Sequence, residues 1–300
     1  MPRPRTRPRP LPVTLIRAAL VSPFRRRFGP ASQLHATRLA FTTTPDPTRL
    51  AAYARICANP RTDPLPLPYP HVLAFPLAMQ LMAGPGFPLP LLGLVHTRIE
   101  ITAHQPLHPT DELELTVYAA ELSPHRRGTE VTMVTEARRT GDLVWESRSK
   151  YLARHTTTGQ RDQAALPESL PATATATAST TASTTATATT TWELPAGLGR
   201  RYAAASGDRN PIHLHPLTAR LFGFPRAIAH GMWTFARCLA ELETQPTYVR
   251  AEFTSPALLP STVAFATEGT TFQLLSGNNS DSGGTRIHLT GQTAPTAPHA

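Results

Sequence analysis

The chain has two cysteines in 300 residues, Cys57 and Cys238. That is too few for a disulfide framework, their spacing fits no zinc site, and both read as buried apolar residues. No run of eighteen apolar residues occurs, so no segment is expected to span a membrane. Charged residues make up only 16% of the chain against 40% hydrophobic, which excludes global disorder and supplies enough apolar side chain for real cores. Acidic residues are missing altogether from residues 1–30, where eight arginines sit (Arg3, Arg5, Arg7, Arg9, Arg17, Arg25, Arg26 and Arg27). These account for most of the net charge of +9 and leave the other 270 residues at about +1. A nucleic-acid binder needs basic residues interleaved with aromatics on its folded body, and that pattern is absent. The segment MPRPRTRPRPLP can enter neither a helix nor a sheet core, so residues 1–30 are expected to be a solvated, disordered arm. Arg17 interrupts the apolar stretch Val13–Val21 and no small-residue cleavage site follows. The arm therefore does not read as a targeting peptide, and a cytoplasmic protein is expected.

What is present divides in two. Every residue from Ala172 to Thr191 is Ala, Thr or Ser, a run without apolar periodicity that reads, with the residues just before it, as a linker over 164–191. It separates a block at 31–163 from one at 192–294, each of ordinary domain length. In the second block Met232, Phe235, Leu239 and Leu242 fall at spacings of three, four and three, one apolar face of a helix over His230–Leu242. Alternating segments follow at Tyr248–Ser255, Thr262–Thr267, Phe272–Leu275 and Arg286–Thr290. The first block repeats the plan: Val72, Phe75, Met79 and Met82 mark a helix, which Pro76 places near Phe75 at its start. Alternating segments then run at Leu94–Thr102, Glu112–Ala120, Thr129–Arg138 and Leu143–Leu152. One helix followed by antiparallel strands, used twice, predicts an α+β arrangement.

The chemistry is concentrated in YAAASGDRNPIHLHPLTARLFGFPRAIAHGM, residues 202–232. Gly, Asp, Asn and Pro crowd the part from Ser206 to His213 and predict a tight irregular loop. It carries a carboxylate, Asp208, and an imidazole, His213, five residues apart, close enough to hold one water between them for acid–base work near neutral pH. Asn210 lies between them and either orients the pair or closes an Asx-turn. Gly231 stands where a helix starts, so backbone N–H groups are exposed there and can polarise a carbonyl oxygen. Taken singly, Asp208 reads equally as a turn or cap residue, and His213, His215 and His230 as structural or exposed histidines.

The ordered string SGDRNPIH, then Gly223-Phe224, then AHGM, resembles the signature of the MaoC-like dehydratases, which include the R-specific enoyl-CoA hydratases (hydratase 2). HVLAFPLAMQLM followed by FPLPLLGLVH resembles, less closely, the degenerate first half of two-domain members. The resemblance implies a double hot-dog fold, each half a long central helix wrapped by an antiparallel sheet. It implies Asp208 and His213 as the catalytic pair, Asn210 as the positioning loop residue, and the Gly231 backbone amide as the donor to a thioester carbonyl. The implied reaction is R-specific hydration of a trans-2-enoyl-CoA to an R-3-hydroxyacyl-CoA, or the reverse dehydration, with no metal and no organic cofactor. The first block has no Asp-x-Asn-Pro-x-His string, so one active site per chain is expected; Asp63 and His71 are not read as a second.

The alternatives share part of this set. A dehydratase acting on carrier-protein-bound acyl chains would use the same residues; a basic patch at the tunnel mouth would favour that acidic partner, and the near-neutral body gives no clear sign of one. A hot-dog thioesterase would need a carboxylate aimed at water without the paired histidine. A non-catalytic acyl-thioester binder would not need the Asp/His/Gly set. A pseudo-dimeric monomer and a homodimer of such chains are both compatible with the sequence.

Overall fold

The computed structural model describes Leu34 and residues 37–91, 93–155, 187–277 and 285–295. The expected arm, and residues 164–186 of the expected linker, lie outside the described residues. The first half runs β1 (Arg38–Thr43), α1 (Pro47–Ile56), α2 (Tyr69–Ala83), β2 (Val95–Ala103), β3 (Leu113–His125), β4 (Gly128–Arg139) and β5 (Asp142–Arg154). The second runs β6 (Thr187–Leu194), α3 (Leu198–Ser206), α4 (Pro211–Leu214), α5 (Pro216–Leu221), α6 (Gly231–Ala240), β7 (Tyr248–Phe253), β8 (Ser261–Glu268), β9 (Thr271–Gly277) and β10 (Thr285–Ala294).

All ten strands form one antiparallel sheet in the order β1-β3-β4-β5-β2-β7-β10-β9-β8-β6. Read outward from the centre, the halves run β2-β5-β4-β3-β1 and β7-β10-β9-β8-β6, the same order with every label raised by five. The join is the β2–β7 ladder, where Ile99 faces Ala251 and Ile101 faces Val249, all four side chains buried. These are the inward positions of strands whose side chains alternate across the sheet. One continuous core links the halves: Tyr53 of α1 lies 5.1 Å from Tyr69 and 6.2 Å from Tyr202, and the Trp233 indole donates to the Ile56 carbonyl at 2.8 Å. A helix laid against each half of the sheet makes this the α+β double hot-dog fold.

Two expectations change. Helix α2 begins at Tyr69, six residues before Phe75, and carries Pro76 inside it. The proline removes one N–H from the helix ladder. That loss is offset because α2 is apolar on every side, burying Tyr69, Ala74, Leu77 and Ala78 as well as the Val72–Met79–Met82 stripe. Pro70 occupies the first turn, where no helical N–H partner is required. The linker boundary also moves: Thr187–Thr191 belong to β6, the edge strand, which pairs with β8 from Thr187 to Leu194. The β-branched threonines of that run suit a strand once Trp192 and Leu194 anchor it in the core. Both cysteines are free and buried. Among the described residues no helix is long and apolar enough to cross a membrane.

Candidate active site

The site is built from a helix end, a loop and a helix start. Helix α3 closes on Gly207, whose φ of 85° is the left-handed conformation a glycine cap adopts cheaply. The chain turns back at once: the Asp208 N–H donates to Ser206 Oγ at 3.2 Å, and the Asn210 N–H to Asp208 Oδ1 at 3.1 Å. Asn210 then caps α4, its Oδ1 accepting from the Ile212 N–H at 3.4 Å. So Asn210 shapes the loop twice, through its own N–H and through its side chain. Gly199 on α3 permits the loop to lie this close, because a Cβ there would stand 1.9 Å from the His213 carbonyl oxygen.

The loop presents Asp208 and His213 to one cavity. His213 is buried, and its Nδ1–H donates to the Ile228 carbonyl at 2.8 Å, which leaves Nε2 as the free acceptor. His230, also buried, stacks on His213 with ring centres 3.7 Å apart. Its Nε2–H donates to the Asp208 carbonyl at 3.0 Å and lies 3.9 Å from the Asp208 carboxylate. A carboxylate oxygen of Asp208 and one ring nitrogen from each histidine stand within 4.8 Å of one another. Two hydrogen bonds through one water span about 5.5 Å, so a single water can bridge the pair.

Burial raises the Asp208 carboxyl above the ordinary aspartate value, and His213 and the Asn210 N–H pull it partly back. Burial lowers the His213 imidazole, partly offset by the Asp208 charge. Burial and the neighbouring His213 push His230 well below the ordinary histidine value. Burial thus works against charge on all three groups, while Asp208 and His213 each favour the charged form of the other. These three side chains are also the residues that could hold a metal ion. Two imidazoles bound to one tetrahedral zinc at about 2.0–2.1 Å keep their ring centres about 5 Å apart. The 3.7 Å stack fits two packed rings and not a shared ion.

Gly231 opens α6 behind His230. The N–H groups of Gly231 and Met232 take no hydrogen bond among the described residues, while those of Trp233 and Thr234 turn back to the His230 carbonyl. Phe253 lies against Gly231, 3.1 Å from where a Cβ would be, so the helix start is held between a ring and the cavity.

The cavity has a volume of about 510 Å³ and takes its walls from both halves. The second half gives it Asp208, Asn210, His213, His230 and Gly231. The first half supplies an apolar wall that includes Val72, Phe75, Met79 and Met82, together with His96 and Tyr151. His96 and Tyr151 face each other across the β2–β5 ladder, rings 4.4 Å apart, beside the bulge between His96 and Arg98. Sequence reasoning missed both, because their approach to Asp208 depends on the β2–β7 join. His230 did have a signal, a histidine immediately before the glycine that starts a helix. Asp63 and His71 are not brought together: Asp63 meets His108 at 2.5 Å on the surface, and His71 lies in the cavity wall. His215 caps α5 through Nδ1.

Comparisons with known proteins place the chain among similar sequences and folds. Residues 174–285 match the family model for the MaoC like domain. Over 228 residues the chain is 37% identical to 3-hydroxyacyl-thioester dehydratase X of Mycobacterium tuberculosis, covering 75% of this chain and 77% of that protein. The crystal structure of HtdX from the same organism superposes with a TM-score of 0.65 at 33% identity, over 84% of this chain and 98% of the other. A MaoC-like dehydratase from Phytophthora capsici, 16% identical, shares the fold with a TM-score of 0.62 over 90% of this chain and all of its own. With a relative this similar along three quarters of both sequences, and with the Asp-x-Asn-Pro-x-His loop folded against the helix start, the chain belongs to the MaoC-like dehydratase family.

Proposed function

We propose that the chain is a hydro-lyase that adds water to trans-2-enoyl thioesters to give R-3-hydroxyacyl thioesters, and runs the reverse dehydration. The observation that carries this reading is the convergence of Asp208 and His213, within reach of one shared water, on a cavity that also holds the α6 start. The M. tuberculosis relative's name, a 3-hydroxyacyl-thioester dehydratase, supports the substrate class.

In this reading a water donates its two O–H groups to the Asp208 carboxylate and to His213 Nε2, and its lone pair faces C3 of the enoyl chain. As the O–C3 bond forms, electron density moves through C2 to the thioester oxygen. There the N–H groups of Gly231 and Met232 stabilise it, each donor being worth roughly two to three powers of ten in rate. One water proton passes to the Asp208/His213 pair, and a proton from the pair then reaches C2, restoring the resting state. Such transfers contribute about two to four powers of ten. Asn210 holds the Asp208 carboxylate, and His230 is a positioning residue that ties the Asp208 backbone to the His213 ring. The first half contributes no acid–base pair and gives the acyl chain its apolar wall, so each chain has one active site.

The test is to incubate the protein with trans-2-enoyl thioesters of four to sixteen carbons, follow loss of the conjugated thioester absorbance, and determine product chirality. Rapid loss yielding the R-3-hydroxy product is expected. Release of free thiol would instead make the protein a thioesterase, and an S product would overturn the facial assignment.

A further inference from the structure

Large apolar side chains are buried almost everywhere in this fold, and the exceptions gather at one place. Among the described residues, those left exposed are Leu217 at 63%, Leu221 at 82%, Phe222 at 38% and Ile287 at 39%. Leu217 and Leu221 stand one helical turn apart on α5, and Phe222 follows at its C-cap. The short helix is a knob closed on itself. The Thr218 hydroxyl donates to the Pro211 carbonyl at 2.7 Å, the Phe224 N–H donates to the Ala219 carbonyl at 3.1 Å, and the buried Ala219 faces the body. The knob borders the cavity of the catalytic pair, because Phe222 and Phe224 belong to its wall. Ile287 stands at the same rim: its carbonyl accepts from the hydroxyls of Thr254 and Ser255, both wall residues.

The charge around the knob is of one sign. From Pro195 to Ala236 there are five arginines, all exposed (Arg200, Arg201, Arg209, Arg220 and Arg226), and one acidic residue, Asp208, which is turned to the cavity. None of the five pairs with a carboxylate among the described residues. Two of them are fixed at the ends of the knob. Arg200 donates to the Leu214 carbonyl just before α5 at 3.1 Å, and Arg220 to the Pro225 carbonyl just after it at 3.3 Å. One such bond leaves the other N–H groups of each guanidinium free for an anion.

We propose that this knob docks the protein on an anionic phospholipid bilayer. Leu217 and Leu221 enter the boundary of the acyl region, Arg200 and Arg220 meet lipid phosphates, and the rim of the cavity is turned toward the membrane. A single leucine in water is ordinary. Three apolar side chains on six residues, with unpaired arginines at both ends, match a surface that is anionic outside and hydrocarbon beneath. A nucleic acid would engage the arginines and leave both leucines in water. The docking is independent of the chemistry assigned to the cavity.

The experiment sediments the full chain with vesicles of phosphatidylcholine, alone or mixed with phosphatidylserine. Binding is expected only to the mixed vesicles. The variants Leu217→Ser/Leu221→Ser and Arg200→Gln/Arg220→Gln should each weaken it roughly tenfold or more. All four positions are exposed, so thermal melts should stay native. Residues 1–30 bring eight arginines of their own to an anionic surface, and these are common to every variant. A second measurement therefore isolates the knob. In Leu221→Trp the new indole should be quenched by brominated lipid in mixed vesicles, against the constant background of Trp145, Trp192 and Trp233, which are buried. Binding without that quenching, or equally tight binding by the leucine variant, overturns the proposal and makes residues 1–30 the contact. Failure to bind the mixed vesicles overturns it as well, and leaves the knob to an acidic protein.

Discussion

The two halves share one strand order and bring different residues to one cavity. The second half interrupts the path from β6 to β7 with a loop that folds Asp208, Asn210 and His213 against the start of α6. In the same interval the first half runs a longer helix, α2, apolar on every side, and supplies no carboxylate to the cavity. What it does supply is wall: Met79 and Met82 from α2, His96 and Tyr151 from the central strands, and Arg126 and Arg127 of the β3–β4 turn. The first half can wall its partner's cavity in this way because the β2–β7 ladder makes the two halves one sheet. The sharpest way to break this comparison is to remove the chemistry from the second half. Asp208→Asn and His213→Ala should each lower kcat by about two to four powers of ten while the thermal melt stays within a few degrees of native. A folded Asp208→Asn protein with near-native turnover would move the base elsewhere.

Less drastic is His230, which touches the chemistry only through its neighbours. His230→Phe keeps a ring to stack on His213 and loses the Nε2 donor to the Asp208 carbonyl. We expect kcat to fall about a hundredfold with KM changed less than threefold, and the acid limb of the rate–pH profile to move as the loop relaxes. That limb reports the Asp208/His213 pair, lies above the ordinary aspartate value of 3.8, and removes activity as pH falls. His230→Gln restores a donor and should recover part of the rate, an outcome that a purely packing role would not produce.

How much of this could be read from the chain follows from how local each feature is. Asp208, Asn210 and His213 are joined by hydrogen bonds spanning two or three residues, so their grouping was written in consecutive letters. Strands β8 and β9 alternate buried positions with more exposed ones at period two along their middles and were legible for the same reason. The start of α2 was not, since Pro76 weighs locally against a helix that tertiary burial of Tyr69 and Leu77 sustains. Strand β1 has only the pattern of a short edge, and β6 hides in an Ala/Thr/Ser run until Trp192. His96 and Tyr151 reach the cavity through ladder register between distant segments, which no spacing rule reports.

The histidines sharpen the comparison further. In the first half, burial lowers His71 to about 4 and His96 to about 3, and His96 Nε2 is shut from solvent without a hydrogen-bond partner among the described residues. A folded pKa below the unfolded value of about 6.5 gives stability that is fully present above 6.5 and is lost as pH falls toward the folded value. Thermal melts should therefore drop between pH 7 and pH 4.5. If the first-half histidines have no acid–base task, His96→Phe should leave kcat nearly native and reduce that loss of stability by about 2 kcal/mol. A variant whose melt falls as steeply as the native protein's would place the acid sensitivity in the catalytic half.

The smallest effect tests the wall itself. Met79 is 8% exposed and lines the cavity from α2, so a larger side chain there grows into open space and does not crowd the core. Met79→Trp should take from a long acyl chain the contacts of about two methylenes, worth about 0.8 kcal/mol each, or roughly a tenfold loss of kcat/KM. A four-carbon chain should be turned over at the native rate. The ratio of kcat/KM for twelve-carbon and four-carbon substrates, measured in one preparation, cancels errors in active-enzyme concentration. A tenfold fall in the ratio makes the first half the ruler of chain length, while an equal fall for both substrates would mean that Met79 supports the catalytic loop instead.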